Sequence, residues 1–157
     1  MSHEHLSNNP IFTDGNAFLI TVVDTALADN GSIYVQLRTP KFSAARIYID
    51  AHASITETAK KSGQLEILEA PAFTTGDAAV AVINVNRNTV KTSKLSNVFS
   101  NPTSIVGGTS LGKITVGVHN EELPAFWLKP ETDYIIQLTN LSTAGANCGI
   151  AIHLREG

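Results

Sequence analysis

Apolar and polar residues exchange places at every second position over much of this chain. In the longest such run, Arg46 to Ile55, Ile47, Ile49, Ala51, Ala53 and Ile55 fall on one side and Arg46, Tyr48, Asp50, His52 and Ser54 on the other. Successive side chains of a β-strand point to opposite faces, so this alternation predicts a half-buried strand. Ser32 to Arg38 repeats it, with Ile33, Val35 and Leu37 against Tyr34, Gln36 and Arg38, and Pro40 ends the run. Tyr134, Ile136 and Leu138 alternate with Ile135, Gln137 and Thr139, and Cys148, Ile150, Ile152 and Leu154 with Gly149, Ala151 and His153. Ala17 to Val23, Gln64 to Glu69 and Ile114 to Val118 read as further strands.

Between these runs stand turn formers. Asp29-Asn30-Gly31-Ser32 lies between two apolar stretches, and Asn and Gly tolerate positive φ, so a hairpin is expected there. Pro130 and Asp133 bracket a second turn, which makes Phe126 to Asn140 a strand, turn, strand unit. The strands before and after the small-residue loop Ser142–Gly145 are expected to lie side by side and close a sheet. Phe73 to Asp77 reads as a turn, Thr56 to Ser62 as one helical turn or a polar loop, and Glu121-Glu122 as an exposed loop. Ala78 to Val85 is too short for an independent helix, and the β-branched Val82, Ile83 and Val85 favour a central strand. Residues 89–111 are rich in Ser, Thr, Asn and Gly and are expected to be irregular, anchored by Val98-Phe99.

Eight or nine short strands without an internal repeat predict an all-β chain: a single-domain antiparallel β-sandwich, jelly-roll-like, over residues 15–157, preceded by an N-terminal arm, 1–14. The apolar part of that arm, Pro10-Ile11-Phe12, has the makings of a clasp that adds to a neighbour's sheet edge. The alternative is that Ile11 and Phe12 cover the core of their own subunit.

Leu128-Lys129-Pro130-Glu131-Thr132-Asp133-Tyr134, followed by Leu138-Thr139-Asn140-Leu141-Ser142, resembles the closing strands of small β-sandwich virion proteins of tailed bacteriophages, of the head decoration or cement type. Asn84-Val85-Asn86-Arg87-Asn88 resembles an Asn-Arg segment in the same proteins. The likeness covers about the last two thirds of the chain. It implies a virion structural protein on the capsid surface, made and assembled in the host cytoplasm, with the major capsid protein and sister copies as partners. A homotrimer is expected, because phage heads offer three-fold and quasi-three-fold positions. Pro10, Ile11 and Phe12, with Asn86, Arg87 and Asn88, are the expected interface residues. The Asn84 to Asn88 cluster can equally tie neighbouring loops together.

Composition narrows the function. The chain has 157 residues, enough for one domain with a real core, and only 16% of them are charged against about 25% in an average domain. Ser, Thr and Asn take the place of charge, which suits a β-rich surface buried against other proteins. Net charge is −3 and no run of Lys or Arg occurs, so the electrostatic footprint of a nucleic-acid binder is missing. No apolar run approaches the roughly 20 residues that span a bilayer, and the polar start of the chain lacks the features of a secretory signal. Neither nucleic acid nor membrane is an expected partner. The single Cys148 sits within an apolar strand pattern and reads as a small buried hydrophobe.

The motifs that suggest chemistry are weak. Gly107 to Lys113 begins like a phosphate-binding loop, but Ile114 stands where a Mg²⁺-binding Ser or Thr belongs and a strand follows. His3-Glu4-His5 offers too few positioned ligands for a closed metal site. His52, His119 and His153 are far apart in sequence, Glu66 and Glu69 point to opposite faces of a strand, and no nucleophile, base and orienting group can be argued together. No enzyme, no cofactor and no metal site is expected. The alternative function is a carbohydrate- or receptor-binding sandwich, in which Trp127, Tyr34 or Tyr48 offers a stacking ring. Clustered exposed aromatics favour that alternative, whereas most aromatic residues are expected at core positions.

Overall fold

The computed structural model of the protein describes residues 15–41, 46–56, 62–117 and 121–157, and every regular element among them is a β-strand. In chain order these are β1 (Ala17–Leu27), β2 (Ser32–Arg38), β3 (Ile47–Thr56), β4 (Gly63–Glu69), β5 (Ala72–Thr74), β6 (Ala78–Ala79), β7 (Ile83–Asn84), β8 (Ser96–Ser100), β9 (Thr103–Val106), β10 (Thr109–Val116), β11 (Glu121–Glu122), β12 (Phe126–Trp127), β13 (Asp133–Asn140) and β14 (Ala146–Glu156). One six-stranded antiparallel sheet runs β11-β3-β14-β1-β7, with β12 also paired to β3, and a second runs β10-β4-β13-β2-β8-β6. A two-stranded sheet, β5-β9, stands apart.

The two large sheets face each other across one apolar core. The first contributes Phe18 and Ile20, then Ile47, Ile49, Ala51, Ala53 and Ile55, then Cys148, Ile150, Ile152 and Leu154, while Ile33, Val35, Leu37, Leu65, Ile67, Tyr134, Ile136 and Leu138 come from the second. In β2, β3, β13 and β14 these are the inward positions expected from the alternation, and the two apolar faces together make the chain an all-β sandwich. Cys148 is fully buried among them.

The connections differ from expectation. Asp29 to Ser32 does not form a hairpin: β1 pairs with β14 and β7, β2 with β13 and β8, so the turn carries the chain from one sheet to the other. Its chemistry is as expected, with Asn30 at φ 61°. What differs is the partner, since Asn30 N donates to Asn140 O at 2.7 Å and Asn140 N to Gly31 O at 2.8 Å. Likewise β12 and β13 flank the Pro130 turn in different sheets, and β14 crosses to the sheet opposite β13 instead of lying beside it.

The middle of the chain is also more regular than its composition implies. Ala78 to Val85 is no central strand but two short edge pairings, β6 on the second sheet and β7 on the first, with Ala78, Ala79, Ala81, Ile83 and Val85 exposed. Residues 89–111 contain β8, β9 and the start of β10, Phe73 lies in β5, and Glu121-Glu122 pairs with β3 as β11. The fourteen strands found among the described residues therefore exceed the eight or nine expected.

Unlike the first sheet, the second has a largely covered outer face. Ile135, which points away from the core, is fully buried, and Gln36 is 3% exposed. Gln36 Oε1 accepts from Gly76 N at 3.0 Å, and a Cβ on Gly76 would lie 1.8 Å from Ser100 O, so only glycine fits where this segment crosses the sheet.

Candidate functional site

The Asn84 to Asn88 segment lies at one corner, against Gly15. The Asn84 side chain is buried, and its Nδ2 donates to Gly15 O at 2.9 Å and to Lys91 O at 3.1 Å. Its Oδ1 accepts from Asn86 N at 2.9 Å, and Asn86 Oδ1 accepts from Asn88 N at 3.0 Å, two successive Asx turns that hold the loop in shape. Asn84 and Asn86 thus tie neighbouring segments together, while Arg87 and Asn88 are exposed on the loop they shape. Gly15, where the arm joins the sandwich, has φ +74°, and a Cβ there would meet Thr89 Cγ2 at 2.8 Å. Gly15 therefore packs against the Asn86 to Thr89 loop. Pro10, Ile11 and Phe12 themselves lie outside the described residues, as do His3, His5, His119 and residues 57–61.

From this corner the open face of the first sheet extends in cross-strand rows. Val85, whose amide donates to Ala17 O at 2.9 Å, begins a row that continues through Ala17, Arg155, Tyr48 and Trp127. The next row is Ile83, Leu19, His153 and Asp50, and the one after is Thr21, Ala151, His52 and Glu122. Adjacent strands lie about 4.8 Å apart, so five strands set Val85 and Trp127 roughly 19 Å from each other. Apolar side chains hold one edge, charged groups and imidazoles the middle, and aromatics the other edge.

The middle is electrostatically mixed. The rings of His52 and His153 are 4.8 Å apart, and the Glu122 carboxylate is 3.5 Å from His52 Nδ1. Partial burial and the adjacent His52 hold the His153 pKa below its ordinary value, against the pull of Asp50. Sheet pairing thus joins two histidines that sequence spacing kept apart. No group of three or more possible metal ligands occurs among the described residues.

At the aromatic edge Tyr48 and Trp127 have ring centroids 4.8 Å apart at 58°, and Trp127 is 62% exposed. Arg46 lies over the Trp127 ring at 5.9 Å and Arg155 over the Tyr48 ring at 5.7 Å. Tyr34 is elsewhere, lining a groove of about 550 Å³ on the second sheet with Leu68, Pro102 and Gln137. Of the three proposed stacking rings, the fold brings together two.

Other polar residues prove structural. Glu66 sits beside Lys113 at 3.5 Å on the outer face. Glu69 points inward at its strand end, where Lys129 Nζ and Tyr134 OH donate to it at 2.9 and 3.0 Å. The Lys129 ammonium, ahead of Tyr134, holds the Glu69 carboxyl below its ordinary pKa, and burial pushes the Tyr134 phenol up to about 12. The Gly107-Gly108 motif is the turn before β10, and no helix follows it. Sequence reasoning missed two anchors. Buried Glu156 accepts from Ser93 Oγ and Lys94 N at 2.5 and 2.9 Å, and buried Asn140 donates to Leu27 O at 2.8 Å and accepts from Ser142 N at 3.0 Å. An acidic residue continuing an inward apolar series was the readable sign of Glu156.

No protein-family model matches the chain, and no curated protein matches it.

Proposed function

We propose that this chain is a virion structural protein, a decoration or cement module that binds the outside of a phage capsid through the corner formed by the Asn84 to Val90 loop and the root of the arm. One observation carries the reading. Of seven exposed large hydrophobic residues among those described, Ile83, Val85 and Val90 fall within eight positions, with exposures of 43%, 46% and 96%. They flank Arg87 on a loop whose shape is fixed by Asn84 and Asn86. Exposed apolar residues clustered around an Arg make a surface patch of the kind that marks protein contacts, and bracing lowers the ordering cost of binding. Of the residues that carry the resemblance to decoration proteins, Leu128 to Tyr134 and Leu138 to Ser142 hold turns and strand ends in place and support a shared scaffold, while Asn84 to Asn88 lie in the loop that supplies the contact.

The test is co-sedimentation with capsids assembled from a tailed-phage major capsid protein, which the proposal names as the partner. Binding should saturate at a fixed number of copies per capsid. The variant Arg87→Glu with Val90→Asp should keep the wild-type circular dichroism and lose binding, and deletion of residues 1–13 should keep the β spectrum and lose trimer assembly or capsid binding. Wild-type protein that stays in the supernatant beside intact capsids, or a loop variant that binds as well as wild type, overturns the proposal.

A further inference from the structure

At the edge of the open face opposite the proposed docking corner, Tyr48, Trp127, Arg155 and Gly157 surround a depression of about 290 Å³. We infer that this is a carbohydrate subsite, in which a sugar ring stacks on Trp127 and its hydroxyls are held by Arg155 and Asp50.

Three features point to a sugar. The first is an exposed aromatic side chain held in place: Trp127 is 62% exposed, yet Tyr48 packs against it at 4.8 Å and Arg46 lies 5.9 Å from its ring centre. A pyranose presents an apolar C–H face that such a ring can cover, and a ring already held loses little entropy on binding. The second is the polar pair beside it. Arg155 Nη2 is 3.9 Å from Asp50 Oδ2, which sets a fork of N–H donors next to a carboxylate acceptor. Neighbouring hydroxyls of a sugar can donate to one and accept from the other. The third is size, since 290 Å³ falls at the lower limit of small-molecule sites and suits one or two sugar rings.

Other ligands match less well. Asp50 offsets the charge of Arg155 at 3.9 Å, which weakens the site for the phosphate of a nucleotide stacked on the indole. An apolar peptide finds its surface at the far edge, around Ile83 and Val85, instead of between two arginines. The subsite does not depend on the capsid reading, and its test separates the two.

Trp127 is the only tryptophan, so its fluorescence reports directly on the depression. The wild-type protein would be titrated with chitotriose, cellotriose, maltotriose and methyl α-mannoside, with ligand-observed saturation-transfer NMR in parallel. At least one sugar should give a saturable fluorescence change with Kd of order 1 mM, a typical strength for one stacked ring with few hydrogen bonds. By NMR, Trp127→Ala and Arg155→Met should each weaken binding at least about tenfold with circular dichroism unchanged, and Tyr34→Ala on the other sheet should bind as wild type. Absence of a saturable response to all four sugars overturns the inference, as does undiminished binding by Trp127→Ala or equal loss in Tyr34→Ala. If wild type ignores every sugar while Trp127→Ala no longer co-sediments with capsids, the stack is a protein contact: the carbohydrate inference fails and the virion reading stands.

Discussion

Asn140 is the point at which one substitution should cost most for its size. It is fully buried at the end of β13, and its Nδ2 donates to Leu27 O at 2.8 Å, Ala144 O at 2.9 Å and, more weakly, Ala28 O at 3.3 Å. Its Oδ1 accepts from Ser142 N at 3.0 Å. One amide thus fastens the turn leaving β1 and the loop entering β14, two of the crossings that join the sheets at this end. Asn140→Ala removes this partner from all four groups; Ala28 O keeps Gly31 N and Ala144 O keeps Ser142 Oγ, whereas Leu27 O and Ser142 N lose theirs. A buried group so stranded costs about 1–3 kcal/mol. Water can also reach the exposed Ala28 and Ala144, so two groups bear the full penalty and the loss should be about 2–6 kcal/mol. Against a total stability of about 5–15 kcal/mol that is a large fraction. Asn140→Asp should be worse at neutral pH, because a carboxylate would face the same carbonyl oxygens with no proton to donate; acidification, which restores one donor, should narrow the gap between the two variants. Urea unfolding followed by circular dichroism measures both. With a slope of about 2 kcal/mol per molar, Asn140→Ala should lower the midpoint by on the order of 1–3 M without changing the slope. A loss under about 0.5 kcal/mol, or an Asp variant no less stable than the Ala variant at pH 7, would refute this account.

Two more predictions concern the core and the alkaline limit. Ile49 is fully buried between Leu154 and Phe126, so Ile49→Asp should abolish soluble folding by burying a charge at a cost of several kcal/mol, whereas Asp50→Ala, one residue on and facing out, should fold as wild type; soluble Ile49→Asp protein with a wild-type thermal transition contradicts the assigned face. Burial raises the Tyr134 pKa from 10.0 to about 12, so the folded state holds this proton more tightly than the unfolded chain. That stabilisation is fully present below pH 10 and lost as pH rises toward 12. Melting temperatures measured from pH 9 to 12 should fall in the wild type and fall less in Tyr134→Phe, and equal slopes would show that this phenol is not the group responsible.

The extent to which the sequence foretold this arrangement can be judged element by element. For β2, β3, β13 and β14 the inward residues are those the alternation marked, because a period of two is imposed by the strand backbone whatever it pairs with. Where strands are only two to four residues long, as in β5, β6, β7 and β9, no period can be counted, and pairing was decided by the edge each segment meets. In the candidate site, Asn84 to Asn88 was legible as a polar cluster ending an apolar run, because Asx chemistry acts between near neighbours. Its contact with Gly15 was not, since it joins residues 69 positions apart. Trp127 was visible as a residue but not as an exposed one.

The chain's own pattern therefore determined an all-β sandwich, most of its long strands, their buried faces and the residues of its turns. Only the tertiary structure decided which strands pair. A turn such as Asp29 to Ser32 uses the same residues whether it returns the chain beside itself or carries it across the core, and a strand with one apolar face satisfies that face equally in either sheet. The choice rests on backbone hydrogen bonds between distant strands, such as β1 with β14, and on single buried polar groups such as Asn140. The same distant pairing places Val85, Arg155, Tyr48 and Trp127 in one row from four separate stretches of chain. A surface assembled in that way is specified by register between strands, and register is not a local property of any of them.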